Sequence, residues 1–265
     1  MNLDLAMAIE GMAILVMCSI VLLAYRQRNM GWVDVGWTAG VGLAAIMAAV
    51  AVEGYLPRRI MVAAMAVIWA GRLAGYIISD RVRGRPEDGR YKALRAHWGK
   101  HADRNFFFFC QAQTVLVVLF ALPLAAAMSR PESRFTVWDA VGVGVWILAM
   151  AGELVADRQL RRFRSAPGTA GTTCRSGLWR YSRHPNYFFE WLHWWAYVVM
   201  LAGNSGVWVA LTGPAFMLLF LYKVTGIPHT ERQALRHRAD YADYQKTTSA
   251  FIPWIPKRPA EQALR

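Results

Sequence analysis

The chain has 265 residues, 56% of them hydrophobic, and a formal net charge of +13. Its apolar residues gather in runs of about 20, each enough to cross ~30 Å of hydrocarbon as a helix, which excludes an ordinary soluble domain. The ~10-residue alternating segments of a membrane β-barrel are absent, which excludes that class too.

Seven runs follow one another, at roughly 3–25, 32–53, 60–79, 106–128, 135–156, 186–204 and 206–224. The first is expected to be a membrane helix and not a cleaved signal, because Met1 to Asp4 carries no basic residue and the run exceeds a signal-peptide core. The second opens with Asp34 in WVDVGW and contains Gly40-Val41-Gly42 followed by Ala45. That pattern mimics a dinucleotide fingerprint, but no strand precedes it, so close packing of small residues between helices is the better reading. Arg72 and Tyr76 lie late in the third run, and Glu153 and Asp157 end the fifth, four residues apart on one helix face. Two long connections, 80–105 and 157–184, hold Gly, Pro and Arg, and in the second Pro167-Gly168 and Gly171 interrupt any helix. After the last run, TERQALRHRADYADYQK (230–246) reads as a short helix outside the membrane, followed by the Pro-rich stop FIPWIPKRP. With no repeat and no linker, residues 1–265 are expected to form a single transmembrane domain.

Seven crossings put the polar segments alternately on two sides. Segments 26–31, 80–105, 157–184 and 223–265 carry 2, 8, 7 and 8 of the 30 Lys and Arg, whereas the opposite side holds Arg58, Arg59, Arg130 and Arg134. The positive-inside rule then predicts an all-α polytopic protein with seven transmembrane helices, N-terminus outside and C-terminus cytoplasmic. A basic face of this kind reflects topology and anionic lipid, not nucleic acid.

Cys18, Cys110 and Cys174 are scattered and include no CxxC pair, and the six histidines form no ligand set, so no metal is expected. No GxxxxGK[ST] loop, GxSxG elbow or kinase signature is present.

Ionisable groups inside a bilayer are costly and usually line a cavity. In the seven-span layout Asp34, Arg72, Tyr76, Glu153, Asp157, Asn186 and Glu190 fall at one depth, near the cytoplasmic side. Residues 177–200, GLWRYSRHPNYFFEWLHWWAYVVM, place Asn186, Glu190, His193 and Tyr197 on one face of a helix. Arginines follow the acidic pair directly, and guanidinium forks beside an Asn and tyrosines suit a phosphate-bearing cofactor. Trp-rich membrane walls suit a flat apolar substrate.

RSGLWRYSRHPNYFFEWLHWW, with the earlier WVDVGW and RPEDGRY and the later GIPHTERQALRHRADYADYQKTTSAFIPWIP, resembles a bacterial membrane family, DUF1295, that is related to steroid 5-alpha-reductases. The likeness runs over nearly the whole chain and is most specific in its last third. The resemblance implies a seven-helix fold that binds NADPH from the cytoplasmic side, mainly through 153–256. Residue by residue, it implies cofactor contacts at Glu153, Asp157, Arg161 and Arg164 on the fifth helix and at Asn186, Tyr187 and Glu190 on the sixth. Arg183 and His184 in RHPNY, and Tyr241 and Tyr244 in the tail, join that set. The steroid enzymes carry a Gln-Glu pair on the second helix, where this chain has only Asp34; on the third it offers Arg72 and Tyr76.

The leading expectation is an NADPH-dependent reductase of a conjugated C=C bond in a lipid or steroid-like substrate, sited in a bacterial inner membrane and open to the cytoplasm. Tyr76 or a protonated Asp34 would donate a hydrogen bond to the substrate carbonyl. RHPxY also occurs in isoprenylcysteine and phospholipid methyltransferases, so an S-adenosylmethionine-dependent methyltransferase is the alternative enzyme. S-adenosylmethionine lacks phosphates, so the arginines of 161–183 favour the nucleotide. A non-catalytic carrier or assembly factor is the third class.

Overall fold

A computed structural model describes residues 1–224 and 226–257. Arg258 and Pro259, which close the Pro-rich stop, and Arg265, one of the basic residues of the tail, lie outside the described residues. The described residues are helical throughout, with no strand and one isolated bridge between Ser182 and Ser249. Among the described residues six helical stretches are long and apolar enough to cross a bilayer, so the chain is an integral membrane protein. Contacts divide it into two compact units, Met1–Ala140 with Tyr197–Gly213, and Val141–Ala196 with Pro214–Arg265.

In the first unit, α1 (Leu3–Gln27), α2 (Trp32–Ala51), α3 (Leu56–Ile77) and α5 (Ala102–Met128) pack together. The short α4 (Gly89–Trp98) lies within the connection before α5. Helix α2 lies among the others because its small residues let neighbours approach. A Cβ on Gly36 would lie 2.9 Å from Ile20 of α1, on Gly40 3.0 Å from Val117 of α5, and on Gly42 3.0 Å from Ala70 of α3. The glycines that mimic a dinucleotide fingerprint are therefore packing positions. Between these helices the Trp37 ring meets Trp69 and Phe120 edge-on.

The loop before α6 (Val137–Ser165) is fastened by Arg58, a fully buried residue of α3. Its Nε and Nη2 donate to the two carboxylate oxygens of Asp139 at 2.8 and 3.1 Å. Nη1 donates to the carbonyls of Arg130 and Glu132 at 3.3 and 2.8 Å, and Nη2 also to that of Arg134. All five N–H groups of the guanidinium thus have acceptors, the condition under which a charge tolerates burial. Asp139 also accepts from Thr136 N and Oγ1, at 2.7 and 2.9 Å, which caps the start of α6.

The second unit holds α6 from Val141, α7 (Pro185–Met200) up to Ala196, α9 (Thr212–Leu219) from Pro214, α10 (Ile227–His237) and α11 (Tyr241–Thr247). The four-residue α8 (Val207–Ala210) belongs to the first unit. A Cβ on Gly152 of α6 would overlap the Phe189 ring of α7, so the absent side chain sets how closely those helices approach.

Three expectations change in detail. The run at 186–204 forms a helix of 16 residues, about 24 Å at ~1.5 Å per residue, shorter than ~30 Å of hydrocarbon, because the chain turns after Met200 and Gly203 adopts φ +78°. Helix α6 continues nine residues beyond the expected 156, to Ser165. The expected helix 230–246 is two helices, broken where Arg238 turns extended and the Asp240 carboxylate accepts from Thr173 N and Oγ1 at 3.2 and 2.7 Å.

Candidate functional site

The approach of α6 and α7 at Gly152 and Phe189 brings two polar faces together within the second unit. Glu153 and Asp157 are both buried, as are Glu190 and His193. The Asn186 amide donates to Asp157 Oδ1 at 3.4 Å, a long bond that joins the acidic face of α6 to the first turn of α7. One and two turns beyond Asp157, Arg161 and Arg164 are exposed at the end of α6. The result is a row that passes from buried acids and an amide to exposed guanidiniums.

A second cluster surrounds Glu231 of α10. Its Oε1 accepts from Arg183 Nε at 2.7 Å, lies 3.3 Å from His184 Nε2, and accepts from Tyr241 OH at 3.4 Å. Its Oε2 accepts from Gln245 Nε2 at 2.7 Å. Arg183 Nη1 also donates to the carbonyls of Gln245 and Thr248, at 3.0 and 2.6 Å. Tyr244 OH donates to the carbonyls of Trp179 and Ser182, and the Arg175 guanidinium lies 5.4 Å from its ring centre. The His184 ring stacks on Tyr187 at 5.2 Å and 8°, while Tyr187 OH lies 3.3 Å from Thr230 Oγ1. Burial pushes the His184 imidazole below the usual histidine range, and the Glu231 carboxylate pulls the other way.

Arg183, His184, Tyr241 and Tyr244 are therefore bound to protein partners that fix the 175–184 segment against α10 and α11. Glu231, which joins three of them, has no mark in RHPNY. Its signal is the spacing of Ile227, Glu231 and Ala234, one face of an amphipathic helix whose two apolar members are buried.

In the first unit, Asp34 Oδ2 accepts from Arg90 Nη2 and Oδ1 from Tyr91 OH, both at 2.8 Å. Arg90 is held in turn by Asp88, and Asp88 caps α4. Tyr76 is half-buried, with the guanidinium carbons of Arg72 and Arg81 at 5.8 and 6.0 Å from its ring centre. Just after it, α3 runs into a π-helical turn, Ile78–Val82, a form common at functional sites.

Comparison with known proteins bears on both clusters. The chain is 27% identical over 154 residues to mouse (Mus musculus) 3-oxo-5-alpha-steroid 4-dehydrogenase 1, a match covering 53% of this chain and 55% of that protein. It thus spans about half the length of the curated relative it matches. No solved structure matches it. The family model described as "Protein of unknown function (DUF1295)" matches residues 20–248, most of the described helices and both polar clusters, and the chain belongs to that family.

Proposed function

We propose that this protein is an NADPH-dependent membrane reductase that saturates a conjugated C=C bond in a lipid or steroid-like substrate, working as one steroid-reductase-like domain. The observation that carries the reading is the row on α6 and α7, from buried Glu153, Asp157 and Glu190 and half-buried Asn186 to exposed Arg161 and Arg164. Its similarity to a steroid 4-dehydrogenase supports the same reading.

The donor set fits the cofactor. Arg161 and Arg164 would meet phosphate oxygens, and the acids with Asn186 would meet hydroxyl and amide donors. NADPH supplies a hydride when bound. Tyr187 and the segment held by Glu231 would fix the adjoining wall, with Arg183, His184, Tyr241 and Tyr244 as its built-in supports.

Of the two candidate proton donors, Tyr76 is the better. Each Asp34 oxygen already accepts from a donor, Arg90 or Tyr91, so Asp34 acts as an acceptor that positions the 88–91 segment. The Tyr76 hydroxyl would hydrogen-bond the substrate carbonyl and stabilise the negative charge that develops there, and two guanidiniums beside its ring favour that charge further.

The cofactor assignment has a direct test. Arg164→Ala should weaken NADPH binding by about 1.5–3 kcal/mol, the range for a charge-assisted hydrogen bond, and Asn186→Ala should weaken it as well. Thermal stabilisation of the detergent-solubilised protein reads this. Unchanged NADPH binding in both variants, or stabilisation of the parent by S-adenosylmethionine alone, would sink the reading.

The proposal includes seven crossings, the six long apolar stretches and α7, with the N-terminus outside and a site open to the cytoplasm of a bacterial inner membrane. A fluorescent protein fused to the C-terminus should then light up, while an alkaline phosphatase fused there stays inactive. The reverse pattern would overturn the topology.

A further inference from the structure

Helix α6 is longer than a bilayer core requires. Its 29 residues extend about 43 Å at ~1.5 Å per residue, against ~30 Å of hydrocarbon. About nine residues therefore project into the headgroup layer, and the apolar start of the helix places the excess at its basic end, 157–165.

That end carries a cleft of about 570 Å³ lined by Val155, Arg158, Gln159, Arg161, Arg162 and Ser165. Among the described residues three guanidiniums line it and no carboxylate does, because the acids of this part of α6, Glu153 and Asp157, are buried. Val155, 40% exposed, stands at the membrane end, and the arginines follow one and two turns on. The cleft thus passes from apolar to cationic along the membrane normal.

Its floor is fixed. The Gln159 side-chain oxygen Oε1 accepts from Leu178 N at 2.9 Å, and Trp179 Nε1 donates to the backbone carbonyl of Ala156 at 3.0 Å. Gly177, at φ +60°, lies so close that a Cβ there would overlap the Gln159 amide. Only glycine combines that left-handed backbone with that approach.

We propose that this cleft binds an anionic phospholipid, with the phosphodiester between Arg158 and Arg162 and the glycerol and first acyl carbons along Val155. Guanidinium forks match phosphate oxygens, and the order of apolar and cationic groups matches that of an inserted lipid. A free phosphate would leave Val155 without a counterpart. The proposal does not depend on the reductase reading: it rests on Arg158 and Arg162, which have no part in the cofactor row, and Arg161 is the one lining residue that the two share.

The test uses the full chain, solubilised and delipidated, with native mass spectrometry against phosphatidylglycerol and phosphatidylcholine of the same acyl chains. The parent should retain phosphatidylglycerol at a roughly thirtyfold lower concentration, and Arg158→Gln/Arg162→Gln should remove that preference, the scale expected for two interfacial arginines. Arg26→Gln, which removes a cation from another basic segment, should leave it unchanged. Equal retention of the two lipids by the parent would overturn the proposal, as would an unaltered preference in the double variant. Displacement of phosphatidylglycerol by inorganic phosphate at equal concentration would assign the cleft to a free anion and overturn it too. Melting without lipid checks that the double variant is folded; should it fail, the parent comparison and the two single variants still decide.

Discussion

Asp139→Ala is expected to destabilise the protein by about 3–5 kcal/mol, the range for removing one partner of a buried ion pair. Arg58 would remain fully buried with two of its five N–H groups deprived of acceptors and its charge without a counterion. The same change removes the cap at Thr136, so the start of α6 should fray as well. Equilibrium unfolding in detergent micelles measures the loss. Arg58→Met combined with Asp139→Leu should recover much of it, because replacing both partners leaves no unpaired charge. An Asp139→Ala protein as stable as its parent would mean that the three carbonyls alone suffice for Arg58.

Tyr76→Phe is expected to lower the reductive turnover by about 10²–10³-fold with the fold intact, the effect of removing one donor aimed at a developing oxyanion. The substitution keeps the ring beside Arg72 and Arg81 and deletes only the hydroxyl. NADPH affinity should not change, because Tyr76 lies outside the cofactor row. Turnover at saturating cofactor, set beside cofactor affinity on the same preparation, separates the two effects. If Tyr76→Phe turns over normally and Asp34→Asn does not, the donor is on α2 and the assignment here is wrong.

The membrane character of the chain is plain in its hydropathy, since a run of about 20 apolar residues has few other uses. The face shared by Asn186, Glu190 and His193 is equally plain, because helical spacing alone places them together. The Arg58 clamp is not. Three of its acceptors are backbone carbonyls some 72 to 76 positions away, and a carbonyl leaves no trace in residue identity. For the same reason Asp34 reads as a lone acid in WVDVGW, although Arg90 and Tyr91 of RPEDGRY occupy both its oxygens. The break between α10 and α11 depends on a bond from Thr173, which no local propensity could indicate. Glu231 lies between these cases, with helical spacing marking its buried face and the fold alone supplying Arg183 and His184.

Hydride transfer tests the central claim most directly. The solubilised parent protein is mixed in a single turnover with NADPH carrying deuterium at the transferable position and with an α,β-unsaturated ketone of steroid-like shape. The account predicts a saturated ketone with deuterium on its β-carbon and matching oxidation of the cofactor. An enone recovered unchanged, with NADPH unbound and S-adenosylmethionine bound in its place, would contradict it.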